Sequence, residues 1–195
     1  MIASYSYHTD GQLAVANYGN GKSEEFTWDG LALIGRNEVG YLNEPSVTGG
    51  NPISANGQTM FNDMLGSTLG ISNGKNFSRT VMTSFGDGDE SSFYTGKPKV
   101  DGLGYTFNYR NYRADQGKWQ TADPLGYPDG FNNYAYVNNG VIDKIDYLGF
   151  LTLDTIEFDA APIFFAANNP SGNLSYTVQN DSMASFCYKC QCYQK

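Results

Sequence analysis

The chain has 195 residues, 40% of them hydrophobic, which suffices for one or two packed cores and excludes a largely disordered polymer. With 12 Lys and Arg against 20 Asp and Glu, a formal net charge of -8 and no basic run, it lacks the clustered cations that nucleic-acid phosphates require. No stretch reaches the roughly 18 apolar residues of a membrane-spanning helix, and Met1 to Tyr7 has neither the basic nor the apolar part of an export signal.

The abundance of Gly (23) and of aromatics (15%, with 15 Tyr) points to many short strands joined by tight turns. The first element is Tyr5-Ser-Tyr7-His-Thr-Asp10-Gly11-Gln-Leu13, echoed 21 positions later by Phe26-Thr-Trp28-Asp29-Gly30-Leu31-Ala-Leu33. Alternation puts Tyr5 and Tyr7 on one face of a strand, and Phe26 and Trp28 on the same face of the next. Asp10-Gly11 and Asp29-Gly30 are hairpin-turn signals, so each unit reads as strand, turn, strand.

Between the units, Ala16 to Ser23 fits a relaxed phosphate-loop pattern. That motif works only between a buried strand and a helix whose amides face phosphate, and here Glu24, Glu25 and a β-type Phe-Thr-Trp follow, so a turn is expected. His8, the only histidine, occupies a turn of the first unit, which excludes hydrolytic sites built on an imidazole.

Further along, Tyr41 to Pro45 ends a strand, Gly49 to Pro52 is loop, and strands are expected over 58–63 and 80–85. Gly86 to Ser92 then reads as a polar turn. Its Asp87, Asp89 and Glu90 fall short of the ligand count and spacing of a calcium loop. Tyr105-Thr-Phe107-Asn-Tyr109-Arg-Asn-Tyr112 alternates aromatics again, and no window carries a sustained helical apolar pattern with caps. Leu151 to Phe165 is apolar and β-branched. Cys187, Cys190 and Cys192 close the chain without a fourth ligand for a tetrahedral metal site, so no metal or other cofactor is expected.

From Phe93 to Phe150 the residues resemble the RHS repeat-associated core of YD-repeat proteins. Tyr94-Thr-Gly96-Lys97 resembles the family's FTGKE, and Tyr109-Arg110-Asn-Tyr112 with Gly117-Lys118-Trp119 resembles RYYDPxxGRF. Thr121-Ala-Asp123-Pro124-Leu125-Gly126 resembles SPDPLG, and Asn133 to Asn139 resembles NLYAYVGNNP. Asp146-Tyr147-Leu148-Gly149-Phe150 stands where the family has DPLGL, with Tyr147 in place of Pro; upstream, Phe61 to Ser67 resembles HNDHLGS. The resemblance implies an all-β fold in which YD-repeat hairpins (1–45) and a pre-core β segment (46–92) lead into an RHS-core β-plug (93–150), followed by a short variable tail (151–195).

It also implies a secreted or cell-surface protein whose partners are the rest of a longer shell or its own tail. In polymorphic toxins of this type the core cuts the chain after the DPLGL stretch, here near Phe150-Leu151. The residues implied are Asp123 and Asp146 as the carboxylate pair and Arg110 as their cationic partner. Two carboxylates in close proximity divide the roles of acid and base, because both cannot ionise freely. The bland reading is that both Asp residues accept backbone N–H bonds in turns. Two other functions compete: an adhesion module whose repeat Tyr and Trp faces stack on surface glycans, and an inactive structural remnant. Alternating aromatics more often pack between strands.

Overall fold

A computed structural model describes residues 3–45, 50–88, 92–150 and 152. The expectations for the cysteines, for the apolar tail segment and for Asp89 and Glu90 lie outside them. Among the described residues the fold is all-β: two antiparallel meanders and no α-helix, with a single short 3-10 turn at Val137–Asn139. Among the described residues no helix is long and apolar enough to cross a membrane.

The first sheet has nine strands in sequence order. They are β1 (Ser4–Tyr7), β2 (Leu13–Asn17), β3 (Ser23–Asp29), β4 (Ala32–Arg36), β5 (Val39–Asn43), β6 (Pro52–Ala55), β7 (Gln58–Asn62), β8 (Thr68–Ser72) and β9 (Phe77–Arg79). Four hairpins share one plan. In β1–β2, β3–β4, β5–β6 and β7–β8 the register slips by one residue at the same place, leaving Ala14, Ile34, Ile53 and Leu69 as unpaired bulge positions. An extra residue on one strand bends that strand and increases its twist, so a bulge in every hairpin curves the whole sheet in one sense.

The hairpins are also cross-linked by polar rungs. Trp28 Nε1 donates to the Leu13 carbonyl (2.7 Å), Asn43 Nδ2 to the Leu33 carbonyl (2.9 Å) and Asn62 Nδ2 to the Pro52 carbonyl (2.8 Å). In each case the donor is the residue paired with the pre-bulge position of its own hairpin. The acceptor is the pre-bulge carbonyl of the preceding hairpin. The bulge costs the ladder an acceptor, and the neighbour's side chain satisfies the carbonyl left over. The aromatic pairs of the first two units mark this repeat. Its third and fourth copies carry Asn in place of Trp28 and escape a search for aromatics.

The second sheet comprises β10 (Phe93–Tyr94), β11 (Lys97–Val100), β12 (Gly104–Thr106), β13 (Asn111–Arg113) and β14 (Lys118–Trp119), again in sequence order. One core lies between the sheets and joins Leu13, Ala16, Phe26, Leu33 and Met60 to Phe93, Val100 and Leu103. Backbone pairing crosses the same boundary: Gly96 N donates to Gly66 O (2.9 Å), and Phe93 N donates to the Thr68 hydroxyl (3.1 Å). Tyr5 packs against this core, while Tyr7 stays half exposed at the sheet edge.

The second core is almost wholly aromatic: Tyr94, Tyr105, Phe107, Tyr112, Trp119 and Tyr136, with Val137 and Val141. Ring centroids lie 4.4 Å apart for Tyr112 and Tyr136, and 4.9 Å apart for Phe107 and Trp119. Buried tyrosines need partners for their hydroxyls. Three of them find partners on consecutive carbonyls of one turn: Tyr94 donates to Ser84 O, Tyr112 to Phe85 O and Tyr105 to Gly86 O, at 2.7–3.0 Å. The strand expected over 80–85 is therefore replaced by a turn, with one isolated bridge between Met82 and Gly88. These carbonyls face tyrosine hydroxyls in place of a strand ladder. Gly86 permits this approach, since a Cβ there would sit 2.6 Å from the Tyr94 ring.

The rungs are testable. Trp28→Phe keeps most of the packed ring and deletes one N–H, leaving the Leu13 carbonyl unsatisfied. It should cost about 1–3 kcal/mol in urea unfolding, the range for orphaning a buried acceptor, whereas Phe61→Leu on an exposed position should cost much less.

Candidate functional site

The core segment supplies two turns of the same build. In the first, the Asp123 Oδ1 accepts from Leu125 N (2.8 Å), the Asp123 carbonyl accepts from Gly126 N (3.0 Å), and Gly126 adopts φ +91°. In the second, the Asp146 Oδ1 accepts from Leu148 N (3.1 Å) and Gly149 N (2.6 Å), with Gly149 at φ +87°. Both are Asp-x-Leu-Gly sequences, in which the carboxylate organises the turn and Gly supplies the left-handed residue. Pro124 and Tyr147 occupy the same position in the two, and the second turn closes without the proline.

Arg110 joins these turns. Its Nη2 lies 2.7 Å from the Asp123 Oδ2 and 3.3 Å from the Asp146 Oδ2, so one nitrogen contacts both carboxylates. Its Nε donates to the Gly149 carbonyl and its Nη1 to the Asn133 carbonyl at 3.4 Å. The guanidinium carbon lies over the Trp119 ring, 4.1 Å from its centroid. All three side chains are 2–3% exposed. The residues singled out in the sequence are thus brought together, 23 positions separating Asp123 from Asp146 and 36 separating Arg110 from Asp146.

The electrostatics are uneven. Burial raises Asp146 above the ordinary carboxylate range, opposed by the Gly149 amide, by Arg110 and by the amides of Leu148 and Phe150. Burial also lowers Arg110, against the charges of Asp123 and Asp146. Asp123 makes the shorter ion pair, while Asp146 accepts from the backbone amides of Leu148 and Gly149. The two carboxylates are chemically inequivalent, the condition for dividing proton donor from proton acceptor.

Lys97 is a member of this cluster that the sequence marked only as part of a motif. It is 7% exposed, with its Nζ 5.8 Å from the centroid of Phe107. Burial pushes it down to about 8 from its ordinary 10.5, with Asp146 acting in the opposite direction. A lysine that opens a four-residue strand carries no sequence signal of burial. The clue was its place beside Thr95 and Gly96, which both adopt positive φ and turn the chain inward.

Because its folded value is lowered, the unfolded chain binds more protons than the folded chain between about pH 8 and the ordinary lysine range. Lys97 therefore makes stability rise with pH across that window, by at most about 1.4 kcal/mol per pH unit. Lys97→Met should abolish the rise between pH 8 and 9.5, read as urea midpoints of the two proteins in parallel. Equal slopes would show that Lys97 is not the group responsible.

No protein-family model matches the chain. Over 67 residues, 34% of its length, it is 37% identical to toxin subunit YenC2 of Yersinia entomophaga, and this match spans 7% of that protein. Among solved structures, TcdB2-TccC3 without its hypervariable C-terminal region matches 76% of the chain at 19% identity with a TM-score of 0.56. A second TcdB2-TccC3 structure matches the same share at 18% identity with a TM-score of 0.53. The chain spans 9% of the length of each. It therefore has the fold of one portion of TcdB2-TccC3, and a third of it is similar in sequence to a toxin subunit.

Proposed function

We propose that the chain is the closing segment of an RHS-type toxin-complex shell and cuts itself near Phe150-Leu151. In this reading YD-repeat hairpins form the wall, residues 93–150 the plug, and residues 151–195 the released tail. The protein is secreted, and its partners are further shell hairpins and the tail itself. The observation that carries the proposal is the position of Asp146. Its carboxylate gathers the amides that lead to Phe150, and it shares Arg110 with Asp123 in a site closed to bulk water.

The chemistry assigned is hydrolysis. Asp123, paired with Arg110, accepts a proton from a water molecule whose oxygen bonds to the Phe150 carbonyl carbon. Asp146, whose carboxyl burial shifts toward the protonated form, donates to the Leu151 nitrogen as the C–N bond breaks. Carboxyl and amine ends result, and Arg110 stabilises the oxyanion passed through on the way. A purely structural role for the triad is favoured by one feature, the Arg110 nitrogen lying against both carboxylates. A buried ion triad of that kind locks two turns together whether or not it reacts. A glycan-binding surface finds less support, since Trp119 and most repeat aromatics are committed to the cores.

Intact-mass measurement of the purified chain distinguishes these readings. The expected result is conversion to two fragments meeting near residue 150, with Asp123→Asn and Asp146→Asn each slowing it at least 100-fold. Asp146 must be protonated to act, so the rate should fall as pH rises through a value above that of an ordinary carboxylate. A wild-type chain that keeps its full mass from pH 4 to 8 over days would leave only the structural role.

A further inference from the structure

The chain on the downstream side of the proposed cut is held by a residue that neither the repeat nor the Asp-x-Leu-Gly turns account for. Asp129 accepts three hydrogen bonds from one partner, Thr152. The Thr152 N donates to Oδ2 at 3.1 Å and to Oδ1 at 3.3 Å, and its hydroxyl donates to Oδ2 at 2.7 Å. This carboxylate therefore reads both the backbone and the side chain of the second residue beyond Phe150. Amide and hydroxyl presented together to one carboxylate are features of Ser or Thr alone, so the contact carries sequence information.

Asp129 is itself fixed by the same core that supports the triad. Its carbonyl accepts from the Asn138 side-chain amide. Asn138 belongs to a turn in which Val137, Asn138 and Asn139 all have positive φ, at 43°, 51° and 65°. Left-handed backbone is costly for a β-branched residue and persists only where the surroundings impose it. Here Val137 is buried in the aromatic core, next to the Tyr136 ring that packs 5.3 Å from Trp119. Trp119 is the ring on which Arg110 lies. One rigid path thus connects the grip on Thr152 to the carboxylate site, and the charge of Asp129 also acts on Arg110.

We infer that Asp129 is a positioning residue for self-cleavage, gripping Thr152 so that the peptide between Phe150 and Leu151 is spanned from both sides. This rests on the cleavage reading above. Asp146 fixes the upstream side through the amides of Leu148 and Gly149, and Asp129 fixes the downstream side through Thr152. A peptide anchored at both ends spends most of its time near the reactive geometry, and small displacements of reacting atoms cost about 100-fold in rate. The same contact makes position 152 selective for Ser or Thr.

The test follows single-turnover cleavage of the full chain by intact mass, beginning at release from a denatured stock. Asp129→Ala and Thr152→Val should each slow cleavage by about 10- to 100-fold. The double variant should be no slower than either single one, and Thr152→Ser should restore most of the rate. The pH profile should keep its shape in all four, because the grip positions the peptide and transfers no proton. Wild-type rates in Asp129→Ala, or failure of Ser to rescue, would overturn the inference. Amide exchange at Thr152 in a cleavage-blocked Asp146→Asn chain separates it from the cleavage reading. Protection lost on adding Asp129→Ala, in a protein whose wild type never cleaves, would leave the contact real and its role in cleavage refuted. Unchanged protection would refute the contact itself.

Discussion

The fold converges on a buried cation, Arg110, that must be compensated on every side. Removing a guanidinium from water is expensive unless its charge and its N–H groups are met in place. Here Asp123 and Asp146 lie against it, the Gly149 and Asn133 carbonyls take further donors, and the Trp119 ring covers one side. Each compensating group lies on a different stretch of the core segment. The burial of Arg110 therefore dictates how β13, the two Asp-x-Leu-Gly turns and the 132–136 segment come together. Lys97 extends the same cluster, a second buried cationic side chain whose charge acts with that of Asp146.

Aromatic packing is what makes such a site affordable. Six large rings in one cluster build a floor rigid enough to hold Arg110 in a single orientation. Their hydroxyls reach outward to bind the carbonyls of 84–86, so the floor is also tethered to the loop that joins the two sheets. Tyrosine suits both tasks, since its ring packs and its far end still hydrogen-bonds. The high tyrosine content noted at the outset thus has a specific use: it satisfies polar backbone where strands are too short to do so.

Much of this was legible in the residues. Strand-rich architecture followed from Gly and aromatic content, and the hairpin turns followed from Asp10-Gly11 and Asp29-Gly30. The paired Asp-x-Leu-Gly turns announced two similar bends, though their approach to a common arginine came from family resemblance and not from spacing. What escaped were features with no local signature. The third and fourth hairpins replace the aromatic rung by Asn43 and Asn62, side chains common in any turn-rich sequence. The 80–85 segment looks like a strand by composition, but the carbonyls of Ser84, Phe85 and Gly86 are taken by tyrosines up to 27 positions away. Thr152 carries no signal at all until Asp129 is seen beside it.

The bulge and rung recur once per hairpin and always link one hairpin to the one before. The hairpin is therefore the smallest unit by which such a sheet can change length. Gain or loss of a whole hairpin renews the rung and leaves the sheet's inner and outer faces as they were. Loss of a single strand would orphan a carbonyl and reverse strand polarity for everything downstream. A sheet of this build is confined to even steps, and its length changes by whole hairpins.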